Sequence, residues 1–138
     1  MKILIINGPN LNMLGTRETN IYGNKTLDDL YHMIEKEFEC EFEFFQSNHE
    51  GDIIDKIHSA QGNFDGAIIN PGAYTHYSYA ISDAIKCVDL DFVEVHISNI
   101  HKREEFRSTS VTAKNCVGQI SGLGFYGYIL AINYLLNR

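Results

Sequence analysis

KILIINGPN, residues 2–10, opens with a compact β-rich run, Lys2 to Ile6, that halts at Asn7 and is broken by Gly8 and Pro9. Gly15 continues the break, and the loop that follows, about 8–25, is too long for a simple connection.

Beyond the loop, Thr26 and Asp29 have the spacing of a capping box, and Leu27, Leu30, Tyr31, Ile34 and Phe38 recur at helical spacing. Phe42, Phe44 and Phe45 form a second strand ending at Gln46. Ser47 and Glu50 then form a second capping pattern before Ile53, Ile54 and Ile57. Ala67 to Ile69 reads as a third strand, and Tyr77, Ala80, Ile81, Ala84, Ile85 and Val88 mark one face of a helix. Phe92 to Ile97 supplies a fourth strand and Val117 to Ile120 a fifth, and Phe125, Tyr128, Ile129, Ile132 and Leu135 give the last helix its apolar stripe.

Strands that alternate with helices predict a parallel sheet covered on both faces. The expected fold is α/β: a flavodoxin-like, doubly wound sandwich with a five-stranded parallel sheet, in one domain spanning 1–138. Ligands of such folds bind outside the carboxyl ends of the strands.

Composition narrows the function. A formal charge of −7 and a pI near 5.2 set the protein against phosphate backbones and anionic membranes, and no basic run appears, so neither nucleic acid nor membrane is an expected partner. Cys40, Cys87 and Cys116 are far apart and without a CxxC pair, which fits reduced, packed thiols in a cytoplasmic protein. The apolar run of MKILIING is too short for a secretory leader, and no stretch approaches a membrane span.

The strand ends carry the polar residues. Asn7 and Asn10 follow the first, Gln46 to Glu50 the second, Asn70 to His76 the third, and Glu94 to His101 lie near the fourth. Arg17, Arg103 and Arg107 fall beside them, which in an acidic protein indicates an anionic ligand, though exposed solubilising charge explains a single arginine equally well. Glu94, His96 and Ser98 alternate on one strand face, Val93, Val95 and Ile97 on the other. A carboxylate thus neighbours an imidazole, the arrangement that orients a catalytic histidine; a solvent-facing strand produces the same pattern without function.

Other chemistries have less support. His96 and His101 match no standard metal spacing, and no metal site is expected. Gly122, Gly124 and Gly127 formally satisfy GxGxxG but open the final helix, with too little chain beyond for the acidic partner of a dinucleotide site. Helix-to-sheet packing explains them better. Lys102, flanked by His101 and Arg103, is the one lysine placed for Schiff-base use, and it reads as a surface residue.

Five segments taken together, NGPNLNMLGTRETNIYG (7–23), QSNHEG (46–51), NPGAYTHYS (70–78), EVHISNIHKREEFRS (94–108) and GLGFYGYILA (122–131), resemble type II 3-dehydroquinase in order and spacing over nearly the whole chain. Two positions depart: Thr19 stands where that family usually has proline, and Ser108 where a basic residue or histidine is frequent.

The resemblance implies a lyase that removes water from 3-dehydroquinate without cofactor or metal. It implies Tyr22 as base with Arg17 beside it on a lid loop, Arg103 helping to favour the phenolate, Asn10 holding an enolate with an ordered water, and His96, oriented by Glu94, as general acid. It further implies Asn70, Ile97 and Ser98 on the carboxylate, His76 and Arg107 on ring hydroxyls, and Asp83 reaching a neighbouring subunit in a dodecamer built from trimers. A non-catalytic flavodoxin-like module binding phosphate or a nucleotide is the alternative that the strand and helix pattern alone would equally support.

Overall fold

The computed structural model describes residues 1–16 and 19–138, with Ile21 and Tyr22 described by backbone only. Five strands, β1 (Lys2–Asn7), β2 (Glu41–Gln46), β3 (Gly66–Asn70), β4 (Phe92–His96) and β5 (Gly118–Ser121), form one sheet in the order β2-β1-β3-β4-β5. Every neighbouring pair is parallel. This is the predicted flavodoxin-like order, with its switch point between β1 and β3.

Strand alternation builds two cores. Ile3, Ile5, Ile68, Val93 and Val95 face helices α2 (Leu27–Glu37) and α5 (Tyr126–Asn137), where Leu30, Ile34, Ile132 and Leu135 are fully buried. Leu4, Ile6, Ala67, Ile69 and Phe92 face α3 (Glu50–Ser59) and α4 (Tyr79–Cys87), against Ile53, Ile57, Ile81 and Ile85. Each buried aliphatic side chain contributes roughly 1.5–3 kcal/mol of transfer free energy, which outweighs any local preference and fixes the layers.

The helices begin where local chemistry allows. Thr26 and Asp29 form the predicted reciprocal capping box of α2, and Ser78 caps α4 by accepting the Ile81 N–H. The second predicted box fails: α3 is capped at His49 without a side-chain bond. Ser47 instead accepts the His49 N–H and donates to Asp52, and Glu50 accepts from Ser78 across to α4 at 2.5 Å.

Other boundaries also move. Tyr77 and Ala80 are exposed, because the turn before α4 (Gly72–His76 is 3-10) delays the helix to Tyr79. β4 ends at His96, so Ile97 and Ser98 belong to the turn, and β5 starts at Gly118 and leaves Val117 exposed. The 8–25 loop contains a 3-10 turn at Leu11–Met13 and a four-residue helix, α1 (Thr19–Tyr22). Of the glycine trio, only Gly127 packs against the sheet, its missing Cβ lying 3.2 Å from Val95 and 3.3 Å from Ile120. Cys87 is exposed rather than packed; Cys40 and Cys116 are partly buried. No helix among the described residues is long and apolar enough to cross a membrane.

Candidate active site

A cleft of about 250 Å³ opens beyond the carboxyl ends of β1, β3 and β4. Its wall includes Asn10, Asn70, His76, His96, Ile97, Ser98, Arg103 and Arg107. The switch-point topology puts it there: the chain leaving β1 leads to a helix on one face of the sheet and the chain leaving β3 to a helix on the other.

Two loops meet closely to form one wall. Gly8 donates to Asn70 O at 2.8 Å, and a Cβ on Gly8 would lie 2.5 Å from Pro71 O, so only glycine fits. Asn10 follows with φ 70°, a left-handed conformation that asparagine tolerates, and its N–H donates to Asn48 Oδ1 at 2.9 Å. Gln46 ties the loop down by donating to Gly8 O at 3.1 Å and to Asn48 Oδ1 at 3.2 Å.

Asn70 is locked from behind. Its Oδ1 accepts the Gly72 N–H at 3.1 Å and its Nδ2 donates to Tyr128 OH at 3.0 Å. Burial pushes the Tyr128 hydroxyl far above the ordinary phenol range, so it stays a neutral hydrogen-bonding group.

The acid–base pair predicted on β4 is formed. His96 Nε2 lies 2.9 Å from Glu94 Oε2, Glu94 is wholly buried, and His96 is 6% exposed at the cleft. Burial alone would raise the Glu94 carboxyl. The hydrogen bond and charge of His96, with hydrogen bonds from Thr112 and Gln119, more than offset this and hold its pKa below the ordinary value. The solvent-facing reading of Glu-x-His is therefore wrong for this strand.

His76 donates from Nδ1 to Thr109 O, at 2.8 Å, which turns Nε2 to the other side of the ring. Its pKa is lowered, chiefly by burial with smaller contributions from His96 and Arg107, and the Thr109 bond opposes this only in part. Arg103 Nη1 donates to Ser98 Oγ at 3.4 Å, and Arg107 Nε pairs with Glu104 at 2.6 Å. Two guanidinium groups at one cleft in a chain of charge −7 favour a small anionic ligand.

Not every predicted residue joins the cleft. Asp83 is exposed on α4, away from it, and Lys102 is exposed and does not line it. Arg17 and the side chain of Tyr22 lie outside the described residues. Ser108, at the departing position, donates to Glu105 O at 2.7 Å. No cluster of potential metal ligands occurs among the described residues. The supporting residues Ser110, Thr112 and Gln119 carry no spacing signal and become visible only when the sheet brings them to Glu94, and the polar partnership of Tyr128 with Asn7 and Asn70 is hidden in its apolar stripe.

Fold and site together define an α/β enzyme of flavodoxin-like architecture, with a buried carboxylate–imidazole couple at an arginine-walled cleft. The family described as Dehydroquinase class II matches residues 1–136, and the chain belongs to it. It is 64% identical to a 3-dehydroquinate dehydratase of Thermotoga neapolitana, over 98% of this chain and 94% of the relative. Among solved structures, the type II dehydroquinase of Butyrivibrio crossotus superposes with a TM-score of 0.96 at 58% identity, covering 99% of this chain and 98% of the other. That of Propionibacterium acnes gives 0.93 at 43% identity, covering 99% and 97%.

Proposed function

We propose that this protein removes water from 3-dehydroquinate to give 3-dehydroshikimate, as a hydro-lyase of the type II class, and that the site residues act as follows. The observation that carries the reading is the buried Glu94–His96 couple on the wall of a cleft rich in amide and guanidinium groups, in a chain matched to the family over residues 1–136.

Tyr22 is the base. A phenol ordinarily titrates near 10, so the guanidinium groups of Arg17 and Arg103 favour its phenolate, and closure of the 8–25 lid over the substrate strengthens that attraction. The phenolate takes a proton from the carbon next to the ketone. Asn10, held by Asn48 and the left-handed turn, supplies a fixed dipole for the enolate oxygen. His96, oriented by Glu94, then gives a proton to the departing hydroxyl and completes an anti elimination.

Recognition falls to the remaining cleft groups. Asn70 with Ile97 and Ser98 grips the carboxylate, and His76 and Arg107 read the ring hydroxyls. The exposed Asp83 reaches the site of a neighbouring subunit, in a dodecamer built from trimers. The protein works as one domain in the cytoplasm, needs no metal or cofactor, and serves the shikimate pathway or quinate breakdown.

The test is the rise in ultraviolet absorbance as 3-dehydroquinate becomes its conjugated product, with and without borohydride. Turnover that survives borohydride supports this reading. Absence of turnover returns the protein to a binding module, and covalent labelling of a lysine transfers the chemistry to a Schiff base.

A further inference from the structure

Glu94 is surrounded by donors. Its Oε2 accepts from His96 Nε2 at 2.9 Å, Ser110 Oγ at 2.8 Å and Gln119 Nε2 at 2.6 Å, and its Oε1 accepts from Thr112 Oγ1. A carboxylate offers about four lone-pair positions, so this one is nearly saturated. Each hydroxyl carries a single proton, and those of Ser110 and Thr112 are spent on the carboxylate. Thr75 Oγ1, 2.8 Å from both, therefore gives its single proton to one or the other of them, and Ser110 also accepts the Ala113 N–H at 3.0 Å.

Ser110, Thr112 and Gln119 all donate to the Glu94 carboxylate, the arrangement of an ionised acceptor rather than a carboxylic acid. His96 must then present Nε2–H to it, which leaves Nδ1 as the nitrogen that exchanges a proton with a cleft ligand. The donors come from separate stretches: Thr75 from the turn after β3, Ser110 and Thr112 from the segment beyond Arg107, and Gln119 from β5, in register with Glu94. Ser110, Thr112 and Gln119 all lie outside the segments that carry the family resemblance.

We propose that Ser110, Thr112 and Gln119 are positioning residues of the dehydration: by occupying Glu94 they hold it as an anion, fix the tautomer of His96 and set how readily the imidazolium gives up its proton. This rests on His96 being the general acid. Each neutral donor compensates part of the carboxylate charge that His96 feels. With one donor gone the imidazolium is held more tightly, persists to higher pH and is a weaker acid. Among the described residues, the other charged or titratable groups around the pair are His76, Arg103 and Arg107 at the cleft and Cys116 behind Glu94, and the substitutions below leave all of them, and the proposed base Tyr22, in place.

The experiment is the pH dependence of kcat for 3-dehydroquinate in the full chain carrying Thr112→Val, Thr112→Ser or Gln119→Met. For Thr112→Val the alkaline limb moves up by about half a pH unit and the plateau kcat falls about threefold, with KM little changed. Thr112→Ser restores both. Gln119→Met, on the exposed edge of β5, moves the limb in the same direction and is read if Thr112→Val fails to fold. The midpoint at which the His96 ring resonances titrate by NMR rises in parallel. An active unsubstituted protein whose variants show the limb and midpoint unmoved, or lowered, overturns this proposal alone. No turnover by the unsubstituted protein overturns the proposed reaction and this inference with it.

Discussion

Tyr128 and Asn70, far apart in sequence, meet in the core, with the phenol oxygen 3.0 Å from the amide nitrogen. The direction of this bond follows from a backbone group that has no choice. The Gly72 N–H can only donate, so the Asn70 atom it meets at 3.1 Å is Oδ1, and the atom facing Tyr128 is Nδ2. Tyr128 then gives its own proton to Asn7 Oδ1 at 2.6 Å, and Asn7 Nδ2 donates to Tyr31 OH at 3.3 Å. One amide orientation propagates across α5, β3, β1 and α2, and it leaves Asn70 one N–H for the cleft.

Tyr128→Phe breaks this relay without changing the shape of the core. The expected result is a loss of about 1–2 kcal/mol of stability, the usual consequence of leaving buried amide groups short of a partner. Asn70 is then held by the Gly72 N–H alone and its Nδ2 loses its anchor, so KM for 3-dehydroquinate rises several-fold while kcat changes less. Urea denaturation and steady-state kinetics measure the two effects, and an unchanged KM separates Asn70 orientation from substrate binding.

Tyr22→Phe and His96→Ala each lower kcat by at least about a hundredfold, the low end for losing a general base or acid. Arg17→Lys is also severe, since a flexible ammonium does not replace a planar guanidinium beside a phenolate. Circular dichroism of all three matches the unsubstituted protein. Near-normal turnover of Arg17→Lys would move the activation of Tyr22 to another group.

What could be read from the sequence followed periodicity. The alternation of strands and helices, the Thr26–Asp29 box and the Glu94–His96 couple depend on neighbours close in the chain, and each is recovered. The misplaced cap of α3 and the late start of α4 have the opposite cause. Ser47 and Glu50 look like a local capping pair, but Ser47 bonds to Asp52 and Glu50 is recruited by Ser78 across the gap between α3 and α4, while the 3-10 turn at Gly72–His76 delays α4. Tyr128 sat unnoticed within an apolar stripe, and Ser110, Thr112 and Gln119 in segments without pattern. Their roles depend on the sheet bringing distant residues to Glu94 and Asn70, which residue spacing does not encode.

Acidification should destabilise the protein in two stages. His76 has a folded pKa below its ordinary 6.5, so the unfolded chain binds a proton that the folded one resists, and stability starts to fall as pH drops below 6.5. Glu94 has a folded pKa below its ordinary 4.5; its contribution is fully present above pH 4.5 and is lost as pH falls through the folded value. The capping carboxylate Asp29 and the Arg107 partner Glu104 are depressed in the same direction. Thermal denaturation from pH 7.5 to 3 should show Tm declining below about pH 6.5, with the gap between the unsubstituted protein and Glu94→Gln narrowing below pH 4.5. A gap that stays constant would mean that Glu94 is not held as an anion in the folded state.

Gly8→Ala tests whether the cleft depends on the contact between its two loops. The added methyl would lie 2.5 Å from Pro71 O and 3.2 Å from Asn70 O, both backbone atoms that move only if the chain moves. Relief requires pushing the Asn7–Asn10 turn from the Asn70–Gly72 turn and lengthening the 2.8 Å bond from Gly8 N to Asn70 O. Such overpacking costs roughly 1–3 kcal/mol. The displacement also carries Asn10 and Asn70 apart, and a misplacement of about 1 Å in a positioned group reduces turnover by up to about a hundredfold. Gly51→Ala, where a Cβ meets nothing within 4 Å, should leave stability and kcat/KM nearly unchanged. Equal behaviour of the two variants would show that the loops yield freely and that the cleft is not held by their contact.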